Sequence, residues 1–260
     1  MEEVNTFFKN LLKNPFLAFF FLYYILLLGD NMKALASDFD LTLYVDDMEV
    51  VKKNIEAISK FMKMGNLFCI VTGRNYSDIK LLLNQYHIPY HYLICQDGAK
   101  IFDSMDYCFS TVYLSRDKIE KVLEVIKKYS FHFYLDDGYN KTSNIDDCVK
   151  VVVSIENQLR EAESLVEELR GVMGIYVYIS REHVNITDIS VNKHIALEKM
   201  LEHAGLNKSS LYTIGDNIND LEMLTHFKGA IMKEHAPILN GLNYLEYEHL
   251  YDYIEELGKN

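Results

Sequence analysis

Asp38 and Asp40 stand two residues apart, just after the short apolar run Lys33-Ala34-Leu35-Ala36-Ser37. Residues i and i+2 of an extended segment point to the same side of the pleat, so two carboxylates at this spacing can serve one substrate atom as nucleophile and acid/base. Thr42 completes the segment Asp38-Phe39-Asp40-Leu41-Thr42. Far along the chain come Thr72-Gly73-Arg74, then Lys193, then Gly215-Asp216-Asn217-Ile218-Asn219-Asp220. The last of these adds hard oxygen ligands of the kind magnesium takes in an octahedron. Each segment alone is weak evidence. In this order, each at the edge of an apolar run, they point to phosphoryl transfer through an aspartyl-phosphate.

The bland readings are that Asp-x-Asp is a pair of solvated loop carboxylates, that Lys193 is a surface lysine at a helix start, and that Thr72-Gly73-Arg74 is only a turn. The neighbouring motifs argue against all three. No such support surrounds Asp46-Asp47, Asp136-Asp137 or Asp146-Asp147, which are read as solvated loop acids. The nine histidines show no metal-ligand spacing; His132, His183 and His194 are read as cap or helix-surface residues, with His183 near the cleft.

The elements that must position these groups alternate. Lys33–Ser37 is a first strand. Val51, Ile55, Ile58 and Met62 recur at helical spacing, with Gly65 following as a C-terminal cap. Leu67-Phe68-Cys69-Ile70-Val71 is a continuous apolar strand of the kind buried on both faces of a parallel sheet. Ile79, Leu82, Leu83 and Tyr86 mark a second helix; Leu93-Ile94-Cys95 and Leu211-Tyr212-Thr213-Ile214 are further strands. Such alternation predicts an α/β fold, an open parallel sheet with helices on both faces. Asp38, Thr72 and Asp216 all fall just past the carboxyl end of a strand, where doubly wound sheets bind ligands. Between them a helix-strand-strand unit occurs twice. Its first copy is Ile119–Tyr129, Phe131–Leu135 and Val149–Val153; its second is Leu159–Leu169, Ile175–Ile179 and His183–Thr187. It is read as an inserted α+β cap over residues 113–187, with a core of residues 32–112 and 188–260. Lys193 then opens a helix with Leu197, Met200, Leu201 and Ala204 on its apolar face.

With these motifs in place the chain resembles the haloacid-dehalogenase superfamily from Met32 to about Gly258, and most of all the Cof-type sugar-phosphate phosphatases. The resemblance implies a Rossmann-like parallel-sheet core with the cap inserted after the third strand. It implies that Asp38 is the nucleophile and that Asp40 protonates the leaving alcohol, then deprotonates the hydrolytic water. Thr72, Gly73, Lys193 and Asn219 are implied to bind the phosphoryl group. Asp38, Asp40 (through its backbone carbonyl), Asp216 and Asp220 are implied to serve a magnesium ion, with Asn219 and Asp220 steadying that site. The substrate class is small phosphorylated metabolites such as sugar phosphates. A phosphomutase and a catalytically weak phosphometabolite sensor are the competing functions; a receiver-type signalling domain needs no cap. This chain departs from the pattern at Leu41, where glycine is common, at Asp97, where asparagine is usual, and at His194, where glycine is usual. Asp97 adds negative charge near the pocket.

Composition sets the outer limits. The 260 residues are 49% hydrophobic with a formal net charge of −12, a balance that excludes the basic footprint of nucleic-acid binders. Local cations must therefore draw in an anionic substrate, and Arg74 and Lys193 are the candidates. Cys69, Cys95, Cys108 and Cys148 form no C-x-x-C pair and are read as reduced, structural thiols of a cytoplasmic protein. Residues 1–31 are expected to be a hydrophobic extension dispensable for the catalytic fold. The thirteen uncharged residues Phe16–Leu28 are short of the roughly 20 a spanning helix needs, so membrane association is expected only through residues 16–28, with a membrane anchor as the alternative localisation.

Overall fold

The apolar runs that precede the candidate acids become adjacent strands of one sheet. The computed structural model of the protein describes residues 32–156, 158–180 and 182–259; the expected extension over residues 1–31 lies outside the described residues. The chain runs through β1 (Ala34–Asp38), α1 (Met48–Lys63), β2 (Leu67–Val71), α2 (Tyr76–Tyr86), β3 (Tyr92–Cys95), β4 (Lys100–Asp103) and β5 (Cys108–Thr111). It continues with α3 (Arg116–Ile126), β6 (His132–Asp136), β7 (Lys141–Thr142), β8 (Lys150–Ser154), α4 (Leu159–Leu169), β9 (Ile175–Ser180) and β10 (His183–Asp188). It closes with α5 (Lys193–Ala204), β11 (Leu211–Gly215), α6 (Leu221–His226), β12 (Lys228–Met232), β13 (Leu245–Tyr247) and α7 (Leu250–Lys259).

The first sheet has the order β13-β12-β11-β1-β2-β3-β4-β5. It is parallel from β13 to β3, and β4 and β5 add antiparallel at one edge, where the sequence reading placed no strand. Successive residues of β1 feed opposite faces, as the pleat requires. Leu35 packs with Phe68, Ile70, Ile58, Phe61 and Leu250. Ala34 and Ala36 pack with Cys69, Val71, Leu197, Met200 and Met223. Burial of β1 and β2 on both faces explains their unbroken apolar sequence.

The second sheet has the order β7-β6-β8-β10-β9 and is antiparallel throughout. One face is apolar: Val151, Val153, Val184 and Ile186 pack with Ile119 and Val122 of α3 and Ala162 and Leu165 of α4. The alternate residues Lys150, Val152, Tyr178, His183 and Asn185 line a cavity shared with the first sheet. The architecture is α/β, a Rossmann-like core with an inserted α+β cap. Among the described residues no helix is long and apolar enough to cross a membrane. Cys69, Cys95, Cys108 and Cys148 are free thiols; burial pushes Cys148 up to about 11, which keeps it protonated and unreactive.

Asp136 corrects the sequence reading. It is not a solvated loop acid but 1% exposed, with Asn75 Nδ2 donating to it at 3.0 Å and the Gly138 amide at 2.7 Å. Burial raises its carboxyl pKa. Asp47 is exposed, and it caps α1 by accepting from the Glu49 amide. Asp146 is exposed and paired to Arg116.

Candidate active site

Parallel pairing of β1 with β11 and β2 puts three strand ends side by side, which gathers the dispersed motifs. Asp38 ends β1, Thr72 follows β2, and Asp216 follows β11. Asn192 caps α5 by accepting from the His194 amide at 2.8 Å, and so sets Lys193 as the first residue of the helix. The Lys193 ammonium donates to Asp38 Oδ1 and Asp220 Oδ1, both at 2.6 Å, with its side chain fully buried. Burial opposes its charge, but Asp220, Asp38 and Asp97 outweigh burial and hold its pKa well above the usual lysine range. Burial pushes the Asp38 carboxyl up, Lys193 pulls it down, and Asp220 and Asp216 push it up again; the net direction is upward.

Candidate ligand oxygens of Asp38, Asp216 and Asp220 lie within 4.8 Å of one another. Three buried carboxylates at that spacing fit a hard divalent cation such as magnesium. The side chain of Asp40 is not in this group. Its carboxylate is instead held by Arg74, with Nε to Oδ2 at 2.9 Å and a terminal nitrogen to Oδ1 at 2.7 Å. Both cations named as candidate substrate attractors therefore already have carboxylate partners.

The loop after β11 is tightly built. Asp220 Oδ2 accepts from the amides of Asp216 and Asn217 at 3.0 Å each. A Cβ on Gly215 would lie 2.5 Å from Asp220 Cγ, so only glycine admits this close approach. Thr42 Oγ1 donates to Asp216 Oδ1 at 3.3 Å, a positioning contact the sequence reading did not assign. Thr72 Oγ1 accepts from the Arg74 amide at 3.1 Å, while Asn219 donates its amide to Asp97 Oδ1 at 3.0 Å. His194, one of the departures, stacks on His226 with ring centroids 3.9 Å apart and bonds to Glu222, a set of partners separate from those of Lys193.

Leu41 adopts the left-handed conformation, φ 64°, with its side chain half exposed. This explains why glycine suits the position. Leu41→Gly is expected to raise stability by about 0.5–1 kcal/mol, because left-handed strain of roughly 1–2 kcal/mol exceeds the extra chain entropy glycine loses. Thermal denaturation checks it; an unchanged or lower melting temperature is the contrary result.

A cavity of about 420 Å³ opens over these groups. The first sheet and its loops contribute Asp38, Asp40, Gly73, Arg74, Asp216 and Asn219. The second sheet contributes residues that sequence reasoning passed over, Lys150 and Tyr178 among them, together with His183, which it had placed near the cleft. The missed signal is the period-two alternation of β8, β9 and β10, whose less apolar face covers the site and is not left to solvent.

Comparisons with known proteins show what the chain as a whole is similar to. A model of the haloacid dehalogenase-like hydrolases matches residues 35–146 and 135–240. The chain is 23% identical over 232 residues to the HMP-PP phosphatase of Yersinia pestis, covering 78% of this chain and 85% of the relative. It is 25% identical over 232 residues to that of Yersinia enterocolitica, with the same coverage. A HAD-superfamily phosphatase from Bacteroides thetaiotaomicron superposes with TM-score 0.75 at 19% identity, over 88% of this chain and 97% of the other. A haloacid dehalogenase-like hydrolase from Bacillus subtilis gives 0.74 at 12%, over 87% and 99%. The chain is therefore a member of the haloacid dehalogenase-like hydrolases, a Cof-type phosphoric monoester hydrolase.

Proposed function

We propose that the protein is a magnesium-dependent phosphatase of small phosphorylated metabolites that works through an aspartyl-phosphate on Asp38. The observation that carries this reading is the buried cluster of Asp38, Asp216 and Asp220 around Lys193 at the strand ends, with Asp40 two residues beyond Asp38. A carboxylate oxygen of Asp38 attacks phosphorus as the bond to the leaving alcohol breaks. Once substrate opens the Arg74 pair and Asp40 has taken up a proton from solvent, Asp40 gives that proton to the alcohol, then takes one from the water that attacks the aspartyl-phosphate, releasing phosphate and restoring Asp38. Lys193 fixes Asp38 Oδ1 and Asp220 and keeps a positive charge where phosphoryl charge develops. Thr42 orients Asp216, Gly215 admits Asp220, and Arg74 holds the Asp40 carboxylate. Magnesium held by Asp38, Asp216 and Asp220 supplies charge neutralisation and Lewis acidity.

The residues assigned to phosphate are Thr72, Gly73, Lys193 and Asn219. The cap is residues 113–187, and a cytoplasmic setting accords with the four free cysteines. The relatives named HMP-PP phosphatases make that compound, with sugar phosphates, the first to try. The test is a phosphate-release screen over phosphorylated metabolites and a generic aryl phosphate. Turnover is expected with magnesium and none with EDTA; full activity under EDTA, or no turnover of any compound, rejects the reading.

A further inference from the structure

The turn after β3 places an acid against the phosphate segments. Asp97 has φ 57° and is buried. Its amide donates to Thr72 O at 3.0 Å, and the amide of Gln96 donates to Arg74 O at 3.0 Å. Its Oδ1 accepts from Asn219 and would lie 3.2 Å from a Cβ on Gly73. Asp97 therefore abuts three residues assigned to phosphate: its amide bonds to Thr72, and its carboxylate lies against Gly73 and Asn219. The first sheet and its loops already hold Asp38, Asp40, Asp216 and Asp220 here, with Lys193 and Arg74 as cations. With Asp78 of α2, six carboxylates on that side face two side-chain cations and the divalent ion proposed for three of them, which leaves the balance negative. An anion brought to such a site meets repulsion that a low local dielectric strengthens.

The missing cation comes from the other sheet. Lys150 of β8 is buried, with Nζ 2.8 Å from Asp97 Oδ2 and 3.3 Å from the Gly73 carbonyl. Tyr178 of β9 donates its hydroxyl to the same Asp97 oxygen. Among the described residues lining the cavity, Lys150 is the one lysine or arginine that the second sheet contributes. A lysine within the apolar run Val149–Val153 is costly to bury unless paired, and its partner here is on the opposite sheet.

We propose that Lys150 is a positioning residue of the phosphate site: the cap supplies the counter-charge to Asp97, so phosphoryl anions bind well only while cap and core are docked through this pair. The inference rests on the phosphatase reading. It makes the cap part of phosphate recognition itself, in addition to whatever it does for the leaving group.

Two roles for the pair give opposite signs. If Asp97 only braces the cap, Asp97→Asn loosens the brace and weakens phosphate binding. If Lys150 masks Asp97, then Asp97→Asn removes an anion, leaves the ammonium, and keeps or tightens binding. The experiment is calorimetric titration of inorganic phosphate, with magnesium present, into the full chain and three variants. Lys150→Met is expected to weaken phosphate binding about tenfold or more, since it strands a buried carboxylate beside the anion. Asp97→Asn is expected to bind as tightly as the parent or several-fold tighter, and the double variant to recover most of the Lys150→Met loss. Weaker binding by Asp97→Asn, unchanged binding by Lys150→Met, or a double variant no better than Lys150→Met overturns the inference. Should Lys150→Met not fold, the sign for Asp97→Asn decides alone. A parent chain that binds phosphate while its variants fall in the wrong order overturns only this inference; a parent chain that neither binds nor releases phosphate overturns the phosphatase reading with it.

Discussion

Asp38→Asn is expected to lower phosphate release by about a thousandfold or more, because an amide oxygen replaces the nucleophile and the covalent route is lost. The substitution is nearly isosteric and keeps an acceptor for Lys193, so the fold should survive and the loss should appear in kcat. Asp40→Asn is expected to be severe in a different way. The first step loses its acid and the second its base, so labelled phosphate should become trapped on the protein when a substrate with a good leaving group is used. Rapid-quench measurement with an aryl phosphate distinguishes the two. Near-normal turnover by the Asp38 variant would sink the mechanism.

The second large effect is expected at Lys193. Its side chain is fully buried between Asp38 and Asp220. Lys193→Met keeps most of the volume and removes the only charge those two acids share in the described structure. Breaking a buried ion pair by deleting one partner costs about 3–5 kcal/mol. The variant should melt well below the parent in EDTA and recover part of the loss with magnesium, since a ligand that binds only the folded state stabilises it. Its phosphatase activity should be very low in both conditions. Equal melting temperatures in EDTA would show that the buried ammonium is not needed to hold the acids together.

The acids and their strands were legible because each sits at the end of a run whose apolar continuity follows from burial on two faces, as in β1 and β2. The helices α1, α2 and α5 were legible from helical spacing. The β4–β5 hairpin was not, because the stretch Lys100–Thr111 mixes charged, aromatic and small residues without a clean period. Asp97 stood out as a departure from the family pattern, but its partners Lys150 and Tyr178 lie 53 and 81 residues away, and no local pattern encodes such a pairing. Asp136 was misread for the same reason: its burial depends on Asn75, 61 residues away. Leu41 and Asp97 share a left-handed backbone that neither residue type announces.

The register that pairs Ala34 with Leu211 has a consequence for the order of assembly. The strand that carries Asp38 is flanked by β2, made soon after it, and by β11, made only after the whole second sheet. A ribosome adding about 5–20 residues per second leaves that flank of β1 without its neighbour for roughly nine to thirty-five seconds of synthesis. During this interval the nascent chain exposes an open apolar strand edge, the kind of surface that pairs with other chains. The late arrival of Asp216 and Asp220 means that the nascent protein passes through a stage with Asp38, the proposed nucleophile, in place and two of the three acids proposed to hold magnesium still unmade. Closure of β11 onto β1 therefore covers that open edge and completes the proposed acid cluster in a single event.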